Sequence, residues 1–124
     1  MRQRIAMIRP AKDGIEVYLC VEPVDFRKQI NGLATLVQEV LALDAFSEQL
    51  FVFTNRRRSQ CRILYWERSG FVMWQKRLER ERFAWPKRSD TVVNLTGAEL
   101  NLLLDGYDIW RMHPHPTLAY ASMY

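Results

Sequence analysis

Leu50-Phe51-Val52-Phe53-Thr54, then Asn55-Arg56-Arg57-Arg58-Ser59, then Arg62-Ile63-Leu64-Tyr65-Trp66: this stretch decides the fold. The first piece is a continuous apolar run, the pattern of a central strand buried on both faces. Asn, Ser and three arginines then interrupt the apolar pattern, which is turn chemistry, and the third piece is the returning strand of a hairpin. Glu67-Arg68-Ser69-Gly70 is a further turn, and Phe71 to Leu78 a third strand of the meander.

Upstream, Ile15, Val17 and Leu19 alternate with Glu16, Tyr18 and Cys20, which reads as a half-buried strand ended by Glu22-Pro23. Asp25 is placed to cap a helix starting at Phe26, because its carboxylate accepts the free amides of a first turn. Phe26, Ile30, Leu33, Val37, Val40 and Leu41 give that helix one apolar stripe, to roughly Leu43. Gly32 lies inside the stripe at a cost of about 1 kcal/mol against Ala, so it marks close packing or a kink.

Downstream, Arg80-Glu81-Arg82 turns the chain into a short Phe83-Ala84-Trp85 segment stopped by Pro86, and Thr91 to Leu95 is a short strand. Thr96-Gly97-Ala98-Glu99 has capping-box spacing and starts a helix from Gly97 to about Leu104, with Gly106 as its stop. The expected fold is α+β: a mostly antiparallel sheet of about five strands with two helices, in the order strand, helix, strands, helix. Residues 1–14 are expected to be a flexible basic arm, 15–110 the single folded domain, and 111–124 an irregular tail interrupted by Pro114 and Pro116.

With 124 residues and 48% hydrophobic composition, the chain has the material for one core and is not of the disordered class. It holds no apolar run long enough to span a membrane, and its basic N-terminus is followed by no apolar signal segment, which points to the cytoplasm. Cys20 and Cys61 stand alone, with no CxxC and no nearby His, so both read as buried reduced thiols rather than as disulfide or zinc partners. No cofactor or metal is expected.

Charge is concentrated. From Asn55 to Arg88 there are eleven basic residues and three acids, +8 in a chain whose total is +4. Basic residues interleaved with Tyr65, Trp66, Phe71, Trp74, Phe83 and Trp85 are the footprint of a surface that meets a polyanion. The plainer alternative is a solvated basic face with its aromatics turned into the core. Arg56, Arg57 and Arg58 at a hairpin tip, with Arg62, are placed to contact phosphate, where the planar guanidinium binds two oxygens at once. Lys76, Arg77, Arg80 and Arg82 extend that surface, although the alternating signs of Lys76 to Arg82 also allow pairing within the segment. Arg27 and Lys28 join it if the first helix turns its start that way. Trp66, Trp74 and Trp85 are either stacking platforms for bases or core.

Catalytic patterns are missing. His113-Pro114-His115, with Tyr120 and Tyr124 nearby, has the residues of a metal-dependent nicking site, but prolines make poor strand material. The carboxylates are scattered; the best pair, Asp105 and Asp108, sits at a helix end, where capping or solvent exposure suffices. There is no Gly-rich phosphate loop and no nucleophile elbow. The chain reads as a non-enzyme.

Taken in order, Val17-Tyr18-Leu19, Asp25-Phe26-Arg27-Lys28, Gly32-Leu33-Ala34, Leu50 to Phe53 and Asn55 to Arg58, Ile63 to Trp66, Lys76-Arg77-Leu78-Glu79-Arg80-x-Arg82-Phe83-x-Trp85-Pro86, and Leu95-Thr96 through Gly106-Tyr107-Asp108 resemble one family. It is the TnpB accessory proteins of the insertion-sequence-66 group of bacterial transposable elements, which share only a name with an RNA-guided nuclease. The resemblance spans roughly residues 15 to 110. Glu81 stands where the family usually has Gly, and Phe26 where it has Met or Leu. The resemblance implies a protein made alongside a larger transposase and needed for efficient transposition; it brings no catalytic residues. The expected function is therefore a non-catalytic accessory factor that binds DNA, at the element ends, together with the transposase. The alternative is a protein adaptor that docks on the transposase without touching DNA. A weaker third reading is a small basic nuclease acting on RNA.

Overall fold

A computed structural model describes residues 14–87 and 90–112. Five strands, β1 (Val17–Cys20), β2 (Leu50–Thr54), β3 (Gln60–Glu67), β4 (Gly70–Arg77) and β5 (Val92–Leu95), make one sheet in the order β4-β3-β2-β1-β5. The meander is as the hairpin residues predict: Phe51 lies opposite Leu64 in β3, and Ile63 opposite Trp74 in β4. The sheet is mixed rather than purely antiparallel. β1 runs parallel to β2, with Val17 opposite Leu50, because α1 (Ile30–Glu39) carries the chain back across the sheet between them.

Alternation along the strands builds two cores, one on each face. Phe51, Phe53 and Leu64 face α1 and bury Leu33, Val37 and Leu41. Val17, Leu19, Leu50, Val52 and Ile63 face the other way, onto Leu100, Leu103 and Leu104 of α2 (Gly97–Leu104), Ile109 of α3 (Ile109–Met112), and Phe83 and Trp85. The Phe83–Trp85 segment is thus a core strap, pinned where Trp85 Nε1 donates to the Cys20 carbonyl at 3.0 Å. β2 is buried at all five positions, as a strand covered on both sides must be.

The first helix starts later than its apolar stripe suggests. Asp25 does not cap it: its Oδ1 accepts from the Arg27 amide at 2.9 Å and the Lys28 amide bonds the Asp25 carbonyl, closing a separate turn. Helix geometry begins only at Ile30, with Gln29 as a cap that makes no side-chain bond. Val40, expected in the stripe, is 60% exposed because the helix has ended and Ala42, at φ 57°, turns the chain away. Gly32 is a close-packing position, since a Cβ there would come within 3.2 Å of Lys28 Cβ.

α2 follows its sequence signals closely. Thr96 Oγ1 accepts from the Glu99 amide while the Glu99 carboxylate accepts from the Thr96 amide, so the capping box is complete. At the other end the Gly106 amide bonds Leu103 and the Tyr107 amide bonds Leu102, a Schellman closure with Gly106 at φ +97°. Thr96→Ala is expected to cost about 1 kcal/mol by urea denaturation.

Candidate nucleic-acid interface

Strand direction decides where the charge goes. β1, β2 and β4 end, and β3 and β5 begin, at one edge of the sheet, since Thr54 pairs Cys61, Arg77 pairs Gln60 and Val92 pairs Cys20. The segments leaving that edge are residues 21–29, 55–59 and 78–87, which hold eight of the thirteen Lys and Arg among the described residues. The opposite edge carries Glu16 and the Glu67–Gly70 turn.

Asn55 builds the hairpin tip. Its Oδ1 accepts from the amides of Ser59 at 3.0 Å and Gln60 at 3.1 Å, and its Nδ2 donates to Ser59 Oγ. The Arg58 amide bonds the Asn55 carbonyl at 2.9 Å, leaving Arg56 and Arg57 as the exposed central residues of a tight turn. Arg58 takes a left-handed conformation, φ 59°, the usual closure of such a loop. A side chain there is strained, whereas glycine is not. Arg58→Gly is therefore expected to raise stability by roughly 0.5–1 kcal/mol in urea denaturation.

Arg62 has a different position from the one its neighbours suggest. It is only 8% exposed. Its Nη1 donates to the carbonyls of Phe26 at 3.0 Å and Lys28 at 2.9 Å, its Nε donates to Gln75 Oε1, and its Cζ lies 4.2 Å over the Phe26 ring. A guanidinium so occupied is a clamp, not a phosphate ligand. Burial pulls its pKa down, although an arginine stays charged at any working pH. The clamp has a consequence for the site. Together with the Val24 amide on the Thr54 carbonyl at 2.9 Å, it fixes the 25–28 turn beside the hairpin, so Arg27 and Lys28 do join Arg56 and Arg57 at this edge.

Lys76 is also engaged inside the fold: its Nζ donates to the Leu104 carbonyl at 2.8 Å, where a cation offsets the negative C-terminus of α2. Arg77 is exposed and pairs with Glu79 at 3.3 Å. Arg80 and Arg82 are exposed on the 78–83 loop, which is tied to the hairpin by the Leu78 amide on Ser59 and the Phe83 amide on Arg58. None of Trp66, Trp74 and Trp85 is an exposed ring at this edge. Trp85 is core, Trp74 packs against the α2 face, and Trp66 joins Phe46 and Phe71 in an aromatic cluster with centroids 5.0–5.2 Å apart near the opposite edge. The ring nearest the arginines is Phe26, which sequence reading assigned to a helix stripe.

Between the 22–27 segment and the hairpin tip lies an open cleft of about 630 Å³, walled by Glu22, Pro23, Val24, Asp25, Phe26, Arg27, Asn55, Arg56 and Arg57. Asp25 and Arg27 form a tight pair, 2.6 Å at its shortest. The Arg27 hydrogen bonds hold the Asp25 carboxyl down to about 2, from an ordinary value of 3.8, and raise the pKa of Arg27. Because the Asp25 pKa is depressed, the pair is complete above about pH 4 and is lost as pH falls toward 2.

Both thiols are buried, and burial raises the Cys61 pKa strongly and Cys20 to about 11, which makes them poor nucleophiles. No group of three or more His, Cys, Asp or Glu residues among the described residues is arranged to hold a metal. Asp108 accepts from the Trp110 and Arg111 amides and caps α3. His113, His115, Tyr120, Tyr124, Arg88, the 1–13 part of the expected arm and most of the expected tail lie outside the described residues. No described helix is long and apolar enough to cross a membrane.

The described residues thus present a small mixed sheet with a basic edge. Sequence comparison makes the assignment specific: the profile of the family described as IS66 Orf2 like protein matches residues 15–114, and the chain belongs to this family of transposition-associated accessory proteins. It is 34% identical over 110 residues to the uncharacterized protein y4jC of Sinorhizobium fredii, covering 89% of this chain and 93% of that one. It is 35% identical over 108 residues to y4hO of the same organism, covering 87% and 92%. No solved structure matches the chain.

Proposed function

We propose that this protein is a non-catalytic accessory factor that binds DNA through the basic edge of its sheet during transposition of its insertion sequence, at the element ends and alongside the larger transposase. The observation that carries the reading is the convergence of Arg27, Lys28, Arg56, Arg57, Arg58, Arg80 and Arg82 on three loops at one edge, the 78–83 loop hydrogen-bonded to the hairpin and the 25–28 turn held beside it through Thr54 and Arg62. Cations held on a rigid rim position phosphates without prepaid disorder, and each phosphate neutralised releases counterions. Arg62 and Lys76 serve this surface indirectly, by holding the loop and helix behind it.

One observation favours a second reading, the protein adaptor. Phe46 is 52% exposed, its amide bonded to the Asp44 carboxylate, and its ring meets Trp66 edge-on and Phe71 at a tilt, far from the basic edge. Exposed aromatic clusters are common in protein contacts. The two readings separate in a pull-down of purified transposase: capture that survives nuclease and high salt supports the adaptor, and capture abolished by either supports a DNA-mediated assembly.

A further inference from the structure

The cleft beside the hairpin tip is poorly suited to a phosphate backbone alone. Two of its walls carry arginine, but Glu22 and Asp25 also line it. Asp25 is neutralised by its pair with Arg27. Glu22 is exposed and makes no such pair among the described residues, so a duplex backbone drawn in by Arg56 and Arg57 also meets a carboxylate that no ion pair holds. Pro23, Val24 and Phe26 add an apolar side of ring size. The nucleic-acid groups that satisfy a carboxylate are donors, and the best of these are the exocyclic amines of cytosine, adenine and guanine. In a duplex those amines are recessed in a groove, whereas an unpaired nucleotide presents amine, ring face and phosphate together.

We infer that the cleft receives one unpaired, amino-bearing nucleotide, with its phosphate on Arg56 and Arg57, its ring against Pro23 and Phe26, and its amine on Glu22. This rests on the DNA-binding reading and deepens it: the rim holds duplex phosphates, and the cleft reads a base that has left the duplex. A volume of about 630 Å³ is within the range of clefts that take a small ligand.

The test is fluorescence anisotropy with one labelled duplex, prepared blunt or with a single-nucleotide overhang of C or T. Wild type is expected to bind the C overhang about tenfold tighter than the T overhang, the increment of one charge-assisted hydrogen bond, with the T overhang between the C overhang and blunt duplex. Glu22→Ala should erase the C preference while leaving blunt-duplex affinity unchanged or slightly higher. Arg56→Ala with Arg57→Ala should weaken all three substrates together. Glu22 is exposed, so its loss does not threaten folding. Equal affinity for blunt, C and T substrates, or a C preference that survives Glu22→Ala, overturns the cleft assignment and leaves the phosphate-binding rim standing. Failure to bind any of the three at low salt overturns both.

Discussion

Arg62→Met is expected to lower the unfolding free energy by about 3 kcal/mol and to release the 22–28 turn from the sheet. Methionine keeps much of the stem's packing but offers nothing to the carbonyls of Phe26 and Lys28 or to Gln75, all three of which now face the Arg62 guanidinium. Some of that loss is recovered if water enters behind the loosened turn, which keeps the expected cost near one strong hydrogen-bond set rather than the sum of three. Arg62→Lys should recover only part of it, because a single ammonium cannot span two carbonyls and Gln75 in the fork geometry of a guanidinium. Urea denaturation reads the stability change, and amide exchange reads the site: protection should fall at the Val24 and Lys28 amides, which bond Thr54 and Asp25, and remain along β3 and β4. Unchanged stability and unchanged exchange would mean that something else holds this turn. DNA binding should weaken too, because Arg27 and Lys28 would no longer be fixed beside the hairpin.

The second large effect is on binding. Arg56→Ala, Arg57→Ala and Arg58→Ala together should reduce duplex affinity ~100-fold at low salt and make the slope of log affinity against log salt less negative by roughly 2.7, the value for three phosphates at about 0.9 each. The loss should be similar on every sequence, since phosphate contacts carry no base information. Stability should barely move. Arg56 and Arg57 are exposed, and at Arg58 alanine inherits the left-handed strain that arginine already bears. A triple variant with native affinity and slope would remove the hairpin from the interface, whatever the rest of the edge does.

How much of this was legible in the sequence varies by element. The meander was, because apolar runs and turn residues alternate without conflict from Leu50 to Arg77, and so was α2, whose cap and stop are both local. The start of α1 was not, because Asp25 fits two local roles equally well and only the neighbouring Arg27 decides that it closes a turn. The mostly antiparallel character of the sheet was legible too, and its one parallel pairing among the described strands, β1 with β2, has its signal in the strand–helix–strand order. Among the site residues, the exposed tip arginines were readable from turn position alone. Arg62 was not, since charge in a basic window gives no hint of burial. Its strand gave the better clue: Cys61 and Ile63 face one core and Leu64 the other, so a charge between them had to be satisfied from within. Lys76 was hidden for the same reason, its partner being a helix terminus distant in sequence.

The most direct test of the central claim is binding of the purified protein to the labelled terminal inverted repeat of its element, beside a scrambled duplex, across a salt series. Saturable binding at low salt is expected, falling steeply as salt rises, with the repeat bound at least as tightly as the scrambled duplex. Absence of binding to either duplex at low salt would contradict it, and would leave the exposed Phe46 cluster and a protein partner as the explanation for this fold.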